Sequence, residues 1–199
     1  MNKELAFWEG SGGENYAKRN EFTPYEIGKR KNALANIFSK IDAKTILEIG
    51  CSNGPNLLAL NGLLGKGTVL CAVEPNSYAR RKAIELCPFA SIYDGHASAI
   101  HSADSVFDLV FTAGVLIHIA PEKLSLAMDE IIRVSKKYVL CIEYFAEKCE
   151  PIMYYGDYRI WKNDYGKLYQ DKELKLLDTG YFWKDETNYD NVNWWLLEK

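Results

Sequence analysis

Residues 46–56 read ILEIGCSNGPN, and they hold the first group of residues able to do chemistry together. Glu48 stands two positions before Gly50, Cys51 and Ser52 follow, and Gly54 precedes Pro55. An apolar run that halts at a glycine, crosses small residues with a second glycine and then meets proline describes a buried strand turning tightly into a helix. A second acidic residue, Glu74, stands 24 positions after Gly50 and directly follows the apolar run ending at Val73. A carboxylate there can accept hydrogen bonds from both hydroxyls of a ribose. The pair predicts a site for an adenosine-bearing cofactor.

Glu48 and the glycine spacing separate the candidate cofactors. A dinucleotide fingerprint, G-x-G-x-x-G, would need glycine at 50, 52 and 55, where the chain has Gly50, Ser52 and Pro55. A carboxylate at Glu48 would also face two phosphate charges in a partly desolvated site, which is unfavourable. S-Adenosylmethionine carries a sulfonium and an ammonium and no phosphate. The turn therefore favours a cationic adenosine cofactor over a nicotinamide one.

These residues need a scaffold, and the pattern of elements supplies one. Helical periodicity over Pro24 to Ile41 places Ile27, Leu34, Ile37, Phe38 and Ile41 on one stripe. A strand over 45–49, a helix over 55–64, a strand over 68–73 and a helix over 76–86 follow. Strands over 91–93 and 106–113, a helix over 121–134 and a strand over 138–144 complete the alternation. Continuously apolar strands alternating with helices indicate a parallel sheet covered on both faces. A polar, aromatic-rich stretch then runs to Gln170, with a short helix expected over 171–178. Strands expected over 180–185 and 192–197 would close an antiparallel hairpin. The fold class is thus α/β, a Rossmann-like, seven-stranded, mostly parallel sheet ending in that hairpin. One domain is expected: an N-terminal lid and helix (1–42), a cofactor-binding core (43–145) and a substrate-side region (146–199).

Bulk properties narrow the partners. The 199 residues carry a formal net charge of −3 and are 48% hydrophobic, enough for one domain with a sizeable core. Lys29-Arg30-Lys31 is the one basic cluster, read as the solvated face of a helix, so no nucleic acid partner is expected. No apolar stretch approaches the roughly 20 residues of a membrane span, and no signal peptide begins the chain. The five cysteines include no CxxC, so neither a metal nor a disulfide framework is expected. A cytoplasmic monomer or homodimer acting on a small molecule is the expectation.

With these residues in view, the chain resembles the class I S-adenosylmethionine-dependent methyltransferases. ILEIGCSNG resembles their first motif, with Ser52 at the middle glycine; VLCAVEPN resembles the acidic second motif. The segment from Tyr93 to Pro121, ending FDLVFTAGVLIHIAP, resembles the third and fourth. FWEGSGGENYAKRN (7–20) and VLCIEYF (139–145) further resemble the pseudaminic-acid-biosynthesis-associated methylases, which suggests a nonulosonate sugar or precursor as acceptor. The resemblance implies that Gly50, Cys51 and Ser52 border the methionine part and Glu74 the ribose. Pro75 and Asn76 would flank the adenine, and Ala113 and Gly114 would offer backbone to the ammonium. Gly54, Ala97 and Val115 complete that set. His96 stands where many relatives have Asp; it is either an adenine contact, in one tautomer only, or a loop residue in water.

Methyl transfer is an in-line displacement in which alignment supplies much of the rate. A base is needed only when the acceptor arrives with its proton. His118 and Glu143 are the candidate catalytic residues, with closure of the cofactor pocket as the alternative for His118. Trp8, Tyr16, Arg19 and Asn20 surround a glycine cluster that could form a lid, with Arg19 meeting the methionine carboxylate. Tyr144, Tyr154, Tyr155, Arg159 and Trp161 are the expected acceptor-binding residues, with a dimer surface as the alternative for the aromatic stretch. A non-catalytic cofactor-binding protein is the competing function.

Overall fold

The computed structural model describes residues 3–156 and 158–199, and the side chain of Tyr155 lies outside the described set. Two short helices, α1 (Lys3–Glu9) and α2 (Ser11–Arg19), open the chain. α3 (Pro24–Phe38) begins at a capping box: Thr23 Oγ1 accepts from the Glu26 amide, and the Thr23 amide donates to Glu26 Oε2 at 2.7 Å. It ends three residues before the expected Ile41. The core then alternates β1 (Thr45–Ile49), α4 (Pro55–Leu63), β2 (Val69–Val73), α5 (Ser77–Leu86), β3 (Ser91–Tyr93) and β4 (Phe107–Ala113). A 3-10 turn (Leu116–His118) leads to α6 (Pro121–Val134), which runs without a loop into β5 (Ser135–Glu143).

The remaining elements are β6 (Glu150–Tyr155), β7 (Tyr158–Lys162), α7 (Tyr165–Gln170), β8 (Lys175–Phe182), α8 (Lys184–Thr187) and β9 (Val192–Glu198). The seven-stranded sheet has the order β3-β2-β1-β4-β5-β9-β8, with β9 antiparallel to both its neighbours. Apolar residues cover both faces: Ile46, Phe111 and Leu140 on one side, Leu47, Val110 and Val139 on the other. Strand order reverses between β1 and β4, so a crevice opens beyond their carboxyl ends, where ligands bind in open α/β sheets.

Two expectations fail after β5. Residues 171–178 are not a helix; α7 ends at Gln170 and β8 has begun by Lys175. Asp164 caps α7 by accepting from the Lys167 amide at 2.9 Å, while Glu173 turns with a positive φ of 69°. Half-buried and exposed residues then alternate along β8, the period of an edge strand. The strand expected over 180–185 instead runs from Lys175 to Phe182, with α8 beginning at Lys184; within the aromatic stretch, β6 and β7 form an antiparallel hairpin with Ile152 opposite Ile160. No helix among the described residues is long and apolar enough to cross a membrane.

Candidate functional site

The turn after β1 is shaped by its backbone. Gly50 (φ 72°) and Gly54 (φ 85°) are left-handed. A Cβ at Gly50 would sit 2.7 Å from Val115 Cγ2, and one at Gly54 2.7 Å from Cys87 Sγ. Ser52, at the missing middle glycine, also adopts a positive φ of 49°. Its amide donates to Glu74 Oε2 at 2.8 Å, which holds the strained residue in place. The Asn76 amide donates to Glu74 Oε1 at 2.9 Å. Each carboxylate oxygen thus has one donor and spare acceptor capacity. Glu74 is buried, and that burial raises its pKa above the usual carboxylate value.

A cleft open to solvent lies over this turn and the ends of β1, β2 and β4. Among the expected cofactor residues, Tyr16, Glu48, Gly50, Cys51 and Ser52 line it, as do Glu74, Pro75, His96 and Ala97. Ala113 at the end of β4 and Gly114 and Val115 just after it also line it, as do His118, Tyr144 and Tyr154. Gly54 and Asn76 lie behind the lining: Asn76 caps α5 by accepting from the amides of Tyr78 and Ala79.

Other expectations are displaced. Glu143 is fully buried and does not line the cleft. Its carboxylate accepts from the amides of Val115 and Leu116 at 3.0 Å and of Ile117 at 3.4 Å, fixing the 3-10 turn. Desolvation lifts its pKa to about 7. Arg19 is exposed and Asn20 caps α2 through its amide to the Tyr16 carbonyl, so neither reaches the cleft. Arg159 is exposed, and Trp161 offers its carbonyl to the Tyr165 hydroxyl at 2.6 Å; both stand outside the cleft. Tyr155 falls outside the described side chains.

Arg30 is the largest correction. The basic cluster containing it reads as a solvated face, yet Arg30 turns into the cleft. Its guanidinium lies 4.4 Å from the Tyr189 ring centroid and 5.2 Å from that of Phe22. Nη1 donates to Asn56 Oδ1 at 2.9 Å, and Nε is buried without a partner. The missed signal is positional: Arg30 falls on the Ile27–Leu34–Ile37 stripe, three residues after one apolar member and four before the next. Asn56, the second residue of α4, is a further site residue that its local sequence does not signal; its Nδ2 donates to Glu48 Oε1 at 2.7 Å. Glu48 Oε2 is buried without a partner, and burial raises the Glu48 pKa to about 8.

The N-terminal helices close over the cleft. Asn76 Nδ2 donates to the carbonyls of Trp8 at 2.8 Å and Gly10 at 3.0 Å, and Asn53 Nδ2 to that of Ala17 at 2.7 Å. Trp8 Nε1 donates to the Tyr158 hydroxyl at 2.7 Å, which in turn lies 3.3 Å from His118 Nδ1. Burial lowers the His118 pKa to about 3, so its ring is neutral. His96 Nδ1 accepts from the Ser98 amide at 3.3 Å, which places the proton of a neutral ring on Nε2. His96 therefore offers a donor where the sequence reading required an acceptor. No group of three or more His, Cys, Asp or Glu among the described residues is placed to hold a metal.

Residues 46–138 match the family model described as "Methyltransferase domain". No curated protein matches the chain. The 1,6-didemethyltoxoflavin-N1-methyltransferase of Burkholderia thailandensis, solved with 1,6-didemethyltoxoflavin and S-adenosylhomocysteine, is similar in structure. Its TM-score is 0.71 at 10% identity, over 100% of this chain and 86% of that one. Magnesium protoporphyrin IX methyltransferase from Synechocystis PCC 6803, solved with S-adenosylmethionine, gives 0.71 at 9% identity, over 100% and 98%. A protein described as a [4+2]-cyclase gives 0.61 at 12% identity, over 84% and 80%. Residues 46–138 thus match a methyltransferase-domain model, and the chain has the Rossmann-like fold of these solved methyltransferases.

Proposed function

We propose that the protein transfers a methyl group from S-adenosylmethionine to a small-molecule acceptor. One observation carries this reading. Glu48 Oε2 and Arg30 Nε, both buried and both without a partner, belong to residues that line the cleft beside the Gly50–Ser52 turn. A buried acid and a buried guanidinium, each with a spare atom, suit the ammonium and the carboxylate of one amino-acid zwitterion. A dinucleotide has no such end. Glu74 then takes the ribose, and Ala113 to Val115 line the methionine side. His96 offers Nε2–H to a ring nitrogen of the adenine, and Pro75 and Ala97 border the same base.

When bound, the cofactor supplies a methyl group made electrophilic by the sulfonium. The chain supplies alignment and exclusion of water. Tyr16, Tyr144, Tyr154 and His118 form the acceptor end of the cleft, and α1 covers it. Glu143, fully buried and engaged by three amides, does not line the cleft and so is not placed to take a proton from an acceptor. Small-molecule substrates of the two similar methyltransferases support a small acceptor. A nonulosonate sugar rests on the resemblance of residues 7–20 and 139–145 alone.

Thermal unfolding with S-adenosylmethionine, S-adenosylhomocysteine and NADH tests the reading, on wild type and Glu74→Ala. At about 100 times its dissociation constant a ligand adds roughly 2.7 kcal/mol to the folded state. Stabilisation by the two sulfur-containing ligands and its loss in Glu74→Ala are expected; stabilisation by NADH, or by nothing, would overturn it. The second reading is a protein that binds the cofactor without turning it over. It draws on the cyclase described above, because one fold hosts several chemistries. Formation of S-adenosylhomocysteine with any acceptor excludes it.

A further inference from the structure

We infer that His118 meets the acceptor as a hydrogen-bond donor through Nε2–H, held in that tautomer by Trp8 acting through Tyr158, and that it is not a base. The inference deepens the methyltransferase reading and depends on it for the identity of the acceptor end.

The tautomer follows from counting protons. An indole N–H only donates, so at 2.7 Å the Tyr158 oxygen must accept from Trp8 Nε1. The phenol then has one proton to give, and His118 Nδ1, at 3.3 Å, is the partner it faces. The reverse arrangement, with Nδ1–H donating to the same oxygen, would leave the phenol proton unpaired in a partly buried site, which folded proteins avoid. Nδ1 is therefore the acceptor, and a neutral ring keeps its proton on Nε2. His118 lines the cleft, and with Nδ1 turned to Tyr158, Nε2 is the nitrogen left to meet a ligand.

Packing holds the ring in this pose. The His118 centroid lies 4.5 Å from that of Trp8 and 5.7 Å from that of Tyr154. Phe7 stacks on Tyr158 at 4.2 Å with an interplanar angle of 21°. Two residues of α1 thus bear on His118, Phe7 through Tyr158 and Trp8 both through Tyr158 and directly. The acceptor group facing Nε2–H presents a lone pair to it.

The tautomer can be read without an acceptor and without turnover. A long-range 1H–15N spectrum of the full chain, labelled at histidine and saturated with S-adenosylhomocysteine, is assigned with His118→Gln. We expect His118 to be protonated at Nε2 alone in wild type. Trp8→Phe and Tyr158→Phe should each convert it to a mixture of tautomers. Protonation at Nδ1 in wild type, or a wild-type mixture the two variants leave unchanged, would overturn the inference. The wild-type spectrum decides the tautomer even if a variant fails to fold, and Nε2 protonation unchanged in both variants would overturn the role given to Trp8 and Tyr158. Failure of S-adenosylhomocysteine to stabilise the protein would instead count against the methyltransferase reading, so the two failures are distinguishable.

Discussion

Asn56 donates from Nδ2 to Glu48 Oε1 at 2.7 Å, and this contact fixes the acid beneath the cleft. The same side chain accepts at Oδ1 from Arg30 Nη1 at 2.9 Å and from the Tyr189 hydroxyl at 2.7 Å. One asparagine therefore holds an acid and a guanidinium by one atom each and leaves Oε2 and Nε to a ligand.

The first prediction concerns pH. Burial raises the Glu48 pKa from its ordinary 4.5 to about 8. Between those values the folded protein holds a proton that the unfolded chain has released. Stability contributed at this site is highest below the unfolded value and falls as pH rises towards 8. Glu48→Gln should remove that slope and leave the protein more stable above pH 8, by an amount on the order of a few kcal/mol. Urea unfolding across this range, wild type against variant, measures the difference. Equal slopes would mean that Glu48 is ionised in the folded state.

Binding of a cation should reverse the burial effect on Glu48. An ammonium at Oε2 lowers the acid's pKa, so S-adenosylhomocysteine binding near neutral pH should release a proton. Calorimetry in two buffers of different ionisation enthalpy reads it directly. No proton release in wild type would remove Glu48 from the contacts proposed for the ammonium.

Arg30 offers a test through a conservative change. Arg30→Lys keeps a charge but loses Nε and the planar fork. Affinity for S-adenosylhomocysteine should fall by about 10–100-fold, the value of roughly 1.5–3 kcal/mol for hydrogen bonds to a charged group. Arg19→Ala, on an exposed side chain, should leave affinity unchanged. If the two variants behave the other way round, the sequence-based assignment of the carboxylate to Arg19 stands.

Asn76→Asp separates two roles of one side chain. Aspartate still caps α5, because it accepts from the Tyr78 and Ala79 amides. It cannot donate to the Trp8 and Gly10 carbonyls, so α1 loses its tether. Proteolysis within residues 3–20 should accelerate several-fold, and global stability should also fall, because the new carboxylate is buried against those carbonyls. Unaltered cleavage would show that Trp8 and Asn53 hold the segment unaided.

Gly54→Ala tests the turn itself. The left-handed φ and the approach of Cys87 Sγ to 2.7 Å from an added Cβ both oppose a side chain. Destabilisation of roughly 1–3 kcal/mol is expected. Gly65→Ala, where a Cβ would meet nothing within 4 Å, is the control.

How far the sequence reaches is visible in where these residues lie. The cofactor turn was legible because an apolar strand, two glycines and a proline within ILEIGCSNGPN dictate its backbone locally. The α/β alternation was legible for the same reason, since periods of 2 and 3.6 are properties of neighbouring residues. Arg30 was half legible, as a charge on an apolar stripe, but the partner that justifies it is 26 residues away in Asn56. The Trp8–Tyr158 contact spans 150 positions, and nothing local to either residue announces it. Glu143 shows the converse: its placement at the end of β5 suggested chemistry, while three amides of a turn 26 to 28 residues earlier had already taken its carboxylate. Spacing fixed which backbone could form; only the folded chain decided which polar atoms were satisfied and which were left facing the cleft.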